Sequence, residues 1–142
     1  MALTAQDIIK RLTLEPHPEG GWYRRTWPDG PPGRARPKET AIYYLLEAGQ
    51  VSRWHRIDGT EIWHHYAGAP IALRLSPDGL AVASHVLGPD IAHGHRPQVV
   101  VPAKAWQTAR TLGGWTLVGC TVTPGFTWET FELAPPHWEP GP

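Results

Sequence analysis

From residue 39 onward the chain is a succession of short β-favouring runs separated by turn signals, and this pattern constrains its fold more than any other feature. The nine runs are TAIYYLL (40–46), VSRWHRI (51–57), TEIWHHYA (60–67), PIALRLS (70–76), LAVASHVL (80–87), PQVVVP (97–102), TARTL (108–112), WTLVGCTVT (115–123) and TWETFEL (127–133). Glycine, proline and Asp-Gly breaks lie between them, as is typical of tight turns. Parallel α/β folds need helical crossovers, which are missing here, so the pattern predicts an antiparallel sandwich or barrel.

The residues before this region contain one segment with clear helical spacing, which predicts a short helix over residues 4–14. Thr4 is a suitable N-cap, and Asp7 lies in the first turn. Apolar residues follow at helical intervals, at Ile8, Ile9 and Leu12. The next run, WYRRTW (22–27), has the aromatic content of a strand.

Two proline-rich segments are predicted to be irregular. Residues 28–38 contain four prolines and two glycines, which predicts an exposed loop. The C-terminal residues 134–142 are predicted to fray unless Trp138 packs against the rest of the domain.

The size and charge of the chain argue against several classes of partner. A length of 142 residues suits one domain, 1–142, around one core. The 13 basic and 13 acidic residues give a formal net charge of zero, so we expect neither nucleic acid nor an anionic membrane as a partner. No apolar run approaches the roughly 20 residues of a spanning helix, and a signal-peptide pattern is missing, so we expect a soluble, cytoplasmic protein. The single cysteine, Cys120, is expected to be a buried core residue.

The most informative stretch is SRWHRIDGTEIWHHYAG (52–68), in which an Asp-Gly pair predicts a hairpin turn between two strands. Side chains alternate between the faces of a strand, which predicts two sets of residues that share a face: Arg53 with His55, and Glu61 with Trp63 and His65. A tight hairpin would bring His55 and Glu61 together. Imidazole and carboxylate groups bind zinc, manganese, iron or nickel, and such a pair can also act as general acid and base.

The same stretch resembles the first motif of the cupin superfamily, a His-x-His followed by a glutamate and, seven residues later, a glycine. Glu61 and Gly68 have that spacing, His55 stands near the second histidine, and Arg53 replaces the first. The second motif, Pro-x-Gly-x-x-His, is similar to residues 102–107, Pro-Ala-Lys-Ala-Trp-Gln. There Lys104 replaces the glycine and Gln107 replaces the histidine, so two of the usual metal ligands are missing.

A closer resemblance, over nearly the whole chain, is to the cupin-5 family of small single-domain cupins. It rests on ordered segments: His17-Pro18-Glu19-Gly20-Gly21, Ala41-Ile42-Tyr43-Tyr44-Leu45-Leu46, Ser52 and His55, Glu61-Ile62-Trp63-His64 with Tyr66-Ala67-Gly68, Val101-Pro102-Ala103 with Trp106-Gln107, Val118-Gly119-Cys120-Thr121-Val122, and Pro124-Gly125-Phe126. The resemblance implies an all-β, jelly-roll-like double-stranded β-helix barrel with a cavity open at one end, commonly as a homodimer. It implies no settled reaction, because this branch resembles sugar epimerases and seed-storage proteins in fold and fold alone is a weak guide to function.

Three interpretations of His55 and Glu61 remain open at this point. They could bind a divalent transition metal, with Gln107 as a third ligand and His64 or His65 as a substitute. They could instead act without metal, as polar anchors for a ligand or as an acid/base pair. Finally, they could only satisfy each other inside the barrel.

Several further residues are candidates for contact with a ligand. The predicted substrate-binding set is Tyr44, Arg53, Trp63, Trp106, Gln107 and Phe126, in which the aromatic rings would stack on a sugar or another flat ring. By alternation His64 should point away from the cavity, whereas ligand and packing roles are open for His65. His93 and His95 fall in turn-like sequence and are predicted to be solvated. Arg24 or Arg25 could reach an anionic substrate, although a surface position is favoured.

These observations lead to two principal hypotheses of function. The first is an isomerase, epimerase or lyase in which Glu61 or His55 moves a proton on a small, polar, carbohydrate-like molecule, with a metal as Lewis acid if one is bound. The alternative is a non-catalytic, metal-free cupin that binds a small molecule in the same pocket. A storage protein is a third possibility, in which pocket residues matter only for stability. Homodimerisation is expected from the resemblance and from the eight tryptophans, which need burial.

Overall fold

Two antiparallel β-sheets face each other in the computed structural model, which describes residues 2–30, 33 and 35–142. One helix, α1 (Ala5–Leu12), precedes the strands. The strands are β1 (Glu15–Pro16), β2 (Trp22–Trp27), β3 (Thr40–Glu47), β4 (Ser52–Arg56), β5 (Thr60–Gly68), β6 (Ile71–Ser76), β7 (Ala83–Leu87), β8 (Gln98–Val101), β9 (Trp106–Thr111), β10 (Trp115–Thr123) and β11 (Glu132–Leu133). Short 3-10 turns lie at Ile91–His93 and Trp128–Thr130.

The first sheet has six strands in the order β1-β2-β3-β10-β5-β8, and the second has five in the order β11-β4-β9-β6-β7. The prediction of a double-stranded all-β fold with one short N-terminal helix is confirmed, in the form of a sandwich. Among the described residues the two sheets do not close into a barrel. Side chains from both inner faces, rather than a continuous hydrogen-bonded ladder, hold the sheets together.

The core between the sheets follows from the alternation of apolar residues along the strands. On β6, Ile71, Leu73 and Leu75 point inward, and they pack against Tyr44 and Trp63 of the first sheet. A second apolar cluster lies on the outside of the first sheet, where α1 covers it. This cluster contains Ala5, Ile8, Leu14 and Leu45.

Helix α1 begins where the sequence predicts it. The Thr4 hydroxyl accepts from the backbone N–H of Asp7 at 3.1 Å, and the Asp7 carboxylate accepts from the Thr4 N–H at 2.9 Å, which forms a capping box. The helix is shorter than the predicted 4–14, because Thr13 adopts a left-handed conformation and ends it after Leu12. No helix among the described residues has the length and apolar character that crossing a membrane would require.

The predicted hairpin over residues 52–68 is wrong. Strand β4 pairs with β9 and β11, whereas β5 pairs with β10 and β8, so the Asp58-Gly59 turn carries the chain from one sheet to the other. A Cβ atom on Gly59 would lie 2.6 Å from the carbonyl oxygen of Pro124, which explains why the crossing needs a glycine. His55 and Glu61 therefore come from opposing sheets.

Two other segments differ from their predictions. Residues 127–133 form a 3-10 turn and a two-residue strand rather than one long strand, and β9 begins at Trp106 rather than at residue 108. Within the predicted 28–38 loop, Arg36 donates to the Asp58 carboxylate at 2.9 Å, while Pro31, Pro32 and Arg34 lie outside the described residues. The C-terminal residues 134–142 were predicted to fray unless Trp138 packs against the rest of the domain. Trp138 does so, because its ring lies on that of Trp106 with the ring centroids 4.7 Å apart.

Candidate functional site

A small cavity, which we call the inner cavity, lies between the two sheets, and most of the buried ionisable groups among the described residues line it. Its volume is ≈ 40 Å³, and a water molecule needs roughly 10–15 Å³ of such space. It is lined by His17, Glu19, Tyr23, Thr40, Ile42, His55, Ile57, Glu61, Cys120, Val122 and Phe126. Two histidines and two glutamates thus converge on a space large enough for a few atoms.

His55 reaches the inner cavity from β4, and its side chain is 3% exposed. Its Nδ1 lies 2.7 Å from the carbonyl oxygen of Arg53. A carbonyl oxygen only accepts, so Nδ1 carries the proton and the lone pair of a neutral ring is on Nε2. That Nε2 lies 3.6 Å from a carboxylate oxygen of Glu19. Burial lowers the pKa of His55, which favours the neutral ring, and the charge of Glu61 acts against this shift.

Glu61 reaches the cavity from β5 in the opposing sheet, and Gln107 of β9 fixes its orientation. The Gln107 amide nitrogen donates to Glu61 at 2.7 Å, while its oxygen accepts from the indole N–H of Trp63 at 2.8 Å. Burial raises the pKa of Glu61 to about 7, and the nearby charge of Glu19 acts in the same direction. His55 and the hydrogen bond from Gln107 act against the increase. The carboxyl group therefore exchanges its proton near neutral pH.

Glu19 is a third proton-carrying group of the cavity, and it is not among the site residues predicted from the sequence. The Ser52 hydroxyl donates to one of its oxygens, and the other lies 3.3 Å from His17 Nδ1. Burial raises the pKa of Glu19, and burial lowers the pKa of His17. All four ionisable groups are thus shifted toward their neutral forms, which places carboxyl protons next to imidazole nitrogens.

Glu19 reaches the cavity because the turn between β1 and β2, in which it lies, packs tightly against β4 and the residue before it. The Arg53 N–H donates to the Glu19 carbonyl oxygen at 2.8 Å. Gly20 has a φ of +111°, and a Cβ atom there would lie 2.1 Å from the Val51 carbonyl oxygen. In the sequence, the signal is a histidine and a glutamate inside a Pro/Gly turn, His17-Pro18-Glu19-Gly20-Gly21, which the resemblance marks only as a family segment.

Three aromatic rings cover the cavity, and we call Phe126, Trp128 and Phe131 the aromatic cap. Their ring centroids are 4.8 to 5.8 Å apart. The cap touches the ionisable groups directly, because the Phe131 ring lies 5.6 Å from that of His55 and the Trp128 ring 5.6 Å from that of His17. Of the three rings, Phe126 itself lines the cavity, whereas Trp128 and Phe131 contact its histidines.

The residues predicted from the sequence fall into three groups. His55, Glu61 and Phe126 line the inner cavity. Tyr44, Trp63 and Gln107 are buried but do not line it, and the Tyr44 hydroxyl donates to the carbonyl oxygen of Gly20. Arg53 and Trp106 lie on the other side of the second sheet, so the structure contradicts their predicted place in the cavity.

Both corrections have a physical cause in the strands. The pairing of β4 with β9 shifts register between Ser52 and His55, and this bulge turns Arg53 outward although His55 points inward. Trp106 precedes the inward-pointing Gln107 on β9, so alternation places it on the outer face, where Arg56 lies 4.4 Å above its ring.

The remaining candidates lie outside the inner cavity. His64 stacks on Tyr66, and His65 contacts the carbonyl oxygen of Ala69 at 3.1 Å. His93 pairs with Asp90 at 2.8 Å in an exposed turn. Neither Arg24 nor Arg25 lines the cavity, whereas Cys120 does, and burial raises the pKa of its thiol.

The metal set predicted from the sequence, His55, Glu61 and Gln107, stays a prediction, because only two of its members are of the histidine, cysteine, aspartate or glutamate type. Among the described residues no group of three or more histidine, cysteine, aspartate or glutamate side chains is placed to hold a metal ion. The side-chain oxygen of Gln107 uses one of its two lone pairs to accept from Trp63.

Comparisons with known proteins agree with the geometry. A family model described as Cupin superfamily (DUF985) matches residues 6–134. Protein SO0799 from Shewanella oneidensis is 39% identical, with 94% of this chain and 85% of that one covered and a TM-score of 0.86. A hypothetical protein from Leishmania major is 30% identical, with coverages of 93% and 88% and a TM-score of 0.83.

More distant structures share the fold alone. Oxalate decarboxylase from Bacillus subtilis is 9% identical, with a TM-score of 0.63 over 83% of this chain and 29% of the decarboxylase. No curated protein matches the chain.

Proposed function

Starting from the fact that this chain belongs to the Cupin_5 family of the cupin superfamily, we propose that it is an enzyme that moves a proton on a small, polar, carbohydrate-like molecule. Glu61 and His55 are its proton-transfer groups, and the reaction is of the isomerase, epimerase or lyase class. The observation that carries the proposal is the buried cluster in which Glu61 and His55 face one cavity from opposing sheets.

The protonation of these groups suits general acid/base catalysis. Proton transfer is most efficient when the pKa of the catalytic group is near the working pH, and burial raises the pKa of Glu61 to about 7. The His55 Nε2 has a lone pair when the ring is neutral, so it can accept a proton while Glu61 supplies one. The exchange balances, because one group takes a proton from the substrate and the other returns one.

Glu19 extends this pair, because its carboxyl group lies beside His55 and its charge also acts on Glu61. Its carboxyl oxygen lies between the two imidazoles, at 3.3 Å from His17 and 3.6 Å from His55. When the Glu19 carboxyl is ionised it can take the proton from His55. The resting state returns when Glu19 releases that proton to solvent and Glu61 regains one, so the number of protons in the cluster is unchanged. We assign Glu19 to proton transfer within the cluster rather than to contact with the substrate.

The small volume of the inner cavity sets a condition on the substrate. Sites for metabolites typically measure about 300–1,000 Å³, and the inner cavity has ≈ 40 Å³. A carbohydrate-like molecule enters only if the aromatic cap moves aside. The three residues of the cap lie between β10 and β11 and belong to neither strand, so moving them need not break a strand ladder.

A metal-free binding protein is the second candidate, and one observation favours it. The polar groups of the cavity already satisfy one another, since Gln107 bonds both Glu61 and Trp63, and Ser52 bonds Glu19. Such a network is stable without turnover. The two candidates differ in whether a bound molecule exchanges protons.

Hydrogen exchange into bound molecules separates the candidates without knowledge of the product. The protein is incubated in D₂O with a pool of aldoses, ketoses and their uronic acids, and loss of carbon-bound hydrogen is followed by NMR. We expect exchange at a carbon next to a carbonyl group, and a loss of at least about 100-fold in Glu61→Gln. Binding, followed by thermal shift, should persist in Glu61→Gln.

A matched control is Glu132→Gln, because Glu132 is an exposed carboxylate paired with Arg56 outside the cavity. This variant should exchange like the wild type. Binding of a sugar without any exchange in the wild type would support the binding protein, and equal exchange in Glu61→Gln and wild type would exclude Glu61 from the chemistry.

A further inference from the structure

A second cavity, which we call the outer groove, lies on the side of the second sheet that faces away from the inner cavity. Its volume is ≈ 610 Å³, within the range of about 300–1,000 Å³ typical of metabolite sites. Strands β4, β6, β7 and β9 form its floor, and residues 134–139 of the tail form one wall. It shares no lining residue with the inner cavity.

The floor of the outer groove carries two arginines among short side chains. Arg74 on β6 lies opposite Ser84 and Thr108, and Arg110 on β9 lies opposite Ala72. Directly opposed residues of antiparallel strands share a face, so both arginines project from the outer face as diagonal neighbours, about 7–8 Å apart. The short neighbours leave both guanidinium groups room to reach one ligand.

The charges that line the groove are unbalanced. Arg53, Arg74 and Arg110 contribute three guanidinium groups, against one carboxylate from Glu139. Arg53 uses one of its donors on the Ala134 carbonyl oxygen at 3.0 Å, and Arg110 has no carboxylate partner within the described part of the chain. The lining therefore favours an anion.

Within the chain, the carboxylate of Glu139 already pairs with Arg74 of the groove, but this interaction is weak. Its carboxylate lies 3.6 Å from Arg74, and the two side chains are 64% and 42% exposed. Exposed pairs of this kind contribute about 0–1 kcal/mol. A ligand that bonds a guanidinium group through two oxygens would displace the carboxylate.

Two indole rings give the groove an apolar side. Trp54 is buried beneath the groove with Arg74 above it at 5.4 Å, and Trp138 meets Trp54 with ring centroids 5.8 Å apart. Trp138 is itself held by Trp106. The apolar side is thus fixed in place rather than formed by a loose tail.

We propose that the outer groove is a binding site for an organic anion of metabolite size, one that carries carboxylate or phosphate groups on a flat, partly apolar body. The guanidinium groups of Arg74 and Arg110 bind the charged end, and the indole rings contact the body. The site is separate from the proposed chemistry of the inner cavity, and it does not depend on that proposal.

Isothermal titration of the full chain at low salt tests the site. Adenosine diphosphate tests for a ligand with phosphate groups, and benzene-1,3,5-tricarboxylate tests for a ligand with carboxylate groups. Adenosine and benzamide are their neutral counterparts. We expect at least one anion to bind and the neutral counterparts to bind at least about tenfold more weakly. Binding of adenosine diphosphate would indicate a phosphate ligand, and binding of the tricarboxylate would indicate a carboxylate ligand. Either result supports the site, whereas failure of both anions to bind at millimolar concentration overturns it.

Three substitutions make the test specific. Arg74→Gln and Arg110→Gln should each weaken anion binding about tenfold, and Glu139→Gln should strengthen it several-fold because a competing carboxylate is removed. The matched control is Arg24→Gln, an exposed arginine on β2 of the other sheet. Glu61→Gln in the inner cavity should leave anion binding unchanged. Equal weakening by Arg24→Gln and Arg110→Gln would overturn the site, since it would indicate a nonspecific charge effect.

The test must also distinguish a small organic anion from a second copy of the chain as the occupant of the outer groove. If Arg110→Gln converts a dimer to a monomer in light scattering and neither anion binds the wild type, the groove is a subunit interface and the proposal is wrong.

Discussion

At the scale of single residues, the buried carboxyl of Glu61 makes the stability of the protein depend on pH in a definite direction. Its pKa rises from an ordinary value of 4.5 to about 7 in the fold. The folded state then holds the proton more tightly than the unfolded state, so this contribution is complete below pH 4.5 and is lost as pH rises to 7. The loss is about 3 kcal/mol.

Removal of the ionisable group isolates that contribution, because His55 and His17, whose pKa values burial lowers, act in the opposite direction as pH falls. Relative to the wild type, Glu61→Gln should gain about 3 kcal/mol of unfolding free energy between pH 4.5 and 7, and no more above pH 7. Urea unfolding of both proteins across this range provides the measurement. Parallel stability curves would contradict the assignment.

The residues of the site were predictable where their chemistry was unusual for their position. His55 and Glu61 were predicted as site residues because they are polar residues within predicted strands, and both line the inner cavity. Glu19 was missed because it lies in a turn, where charged residues are common, and its burial arises from a close approach of Gly20 to Val51. Distant contacts of this kind leave no periodic signal in a sequence.

At the scale of elements, we expect the aromatic cap to control access to the inner cavity, and Cys120 offers a way to test this. The thiol lines the cavity and is the sole cysteine of the chain. It can react with a bulky disulfide reagent only when the cap opens. Trp128→Ala should therefore increase the rate of reaction at least about tenfold at pH 8 under native conditions. The rate is followed by the absorbance of the released thiolate.

The matched control for the cap is Trp138→Ala, which removes the same side chain from the opposite side of the second sheet. Its thiol should react at the wild-type rate. A similar acceleration in both variants would indicate general destabilisation and would contradict a gating role for the cap.

The elements themselves were predictable because alternation and turns are local signals, but their pairing was not. The Asp-Gly pair after β4 has the form of a hairpin turn, yet it joins strands of different sheets. A bulge in β4 reversed the orientation predicted for Arg53. Residues 127–133 have the composition of a strand, but packing of their aromatic rings over the cavity replaces most of the ladder with a 3-10 turn.

At the scale of the whole molecule, fewer tryptophans are available for the expected homodimer interface than the number in the sequence suggests. Of the eight, Trp27 and Trp128 are the exposed ones, at 60% and 49%, and the others are buried or half-buried within one chain. Trp128 belongs to the aromatic cap, so Trp27 at the end of β2 remains as the indole ring without a place in the fold. Large exposed aromatic residues are typical anchors of protein interfaces.

We therefore expect light scattering at micromolar concentration to give twice the 15.7 kDa mass of one chain, and Trp27→Ser to shift the protein toward one chain. Unfolding free energy measured at low protein concentration should change little, because Trp27 buries little surface within its own chain. Leu80→Ser, at an exposed apolar residue before β7, is the control that should leave the mass unchanged. A wild-type mass of one chain would remove the dimer, and a dimer insensitive to Trp27→Ser would place its interface elsewhere.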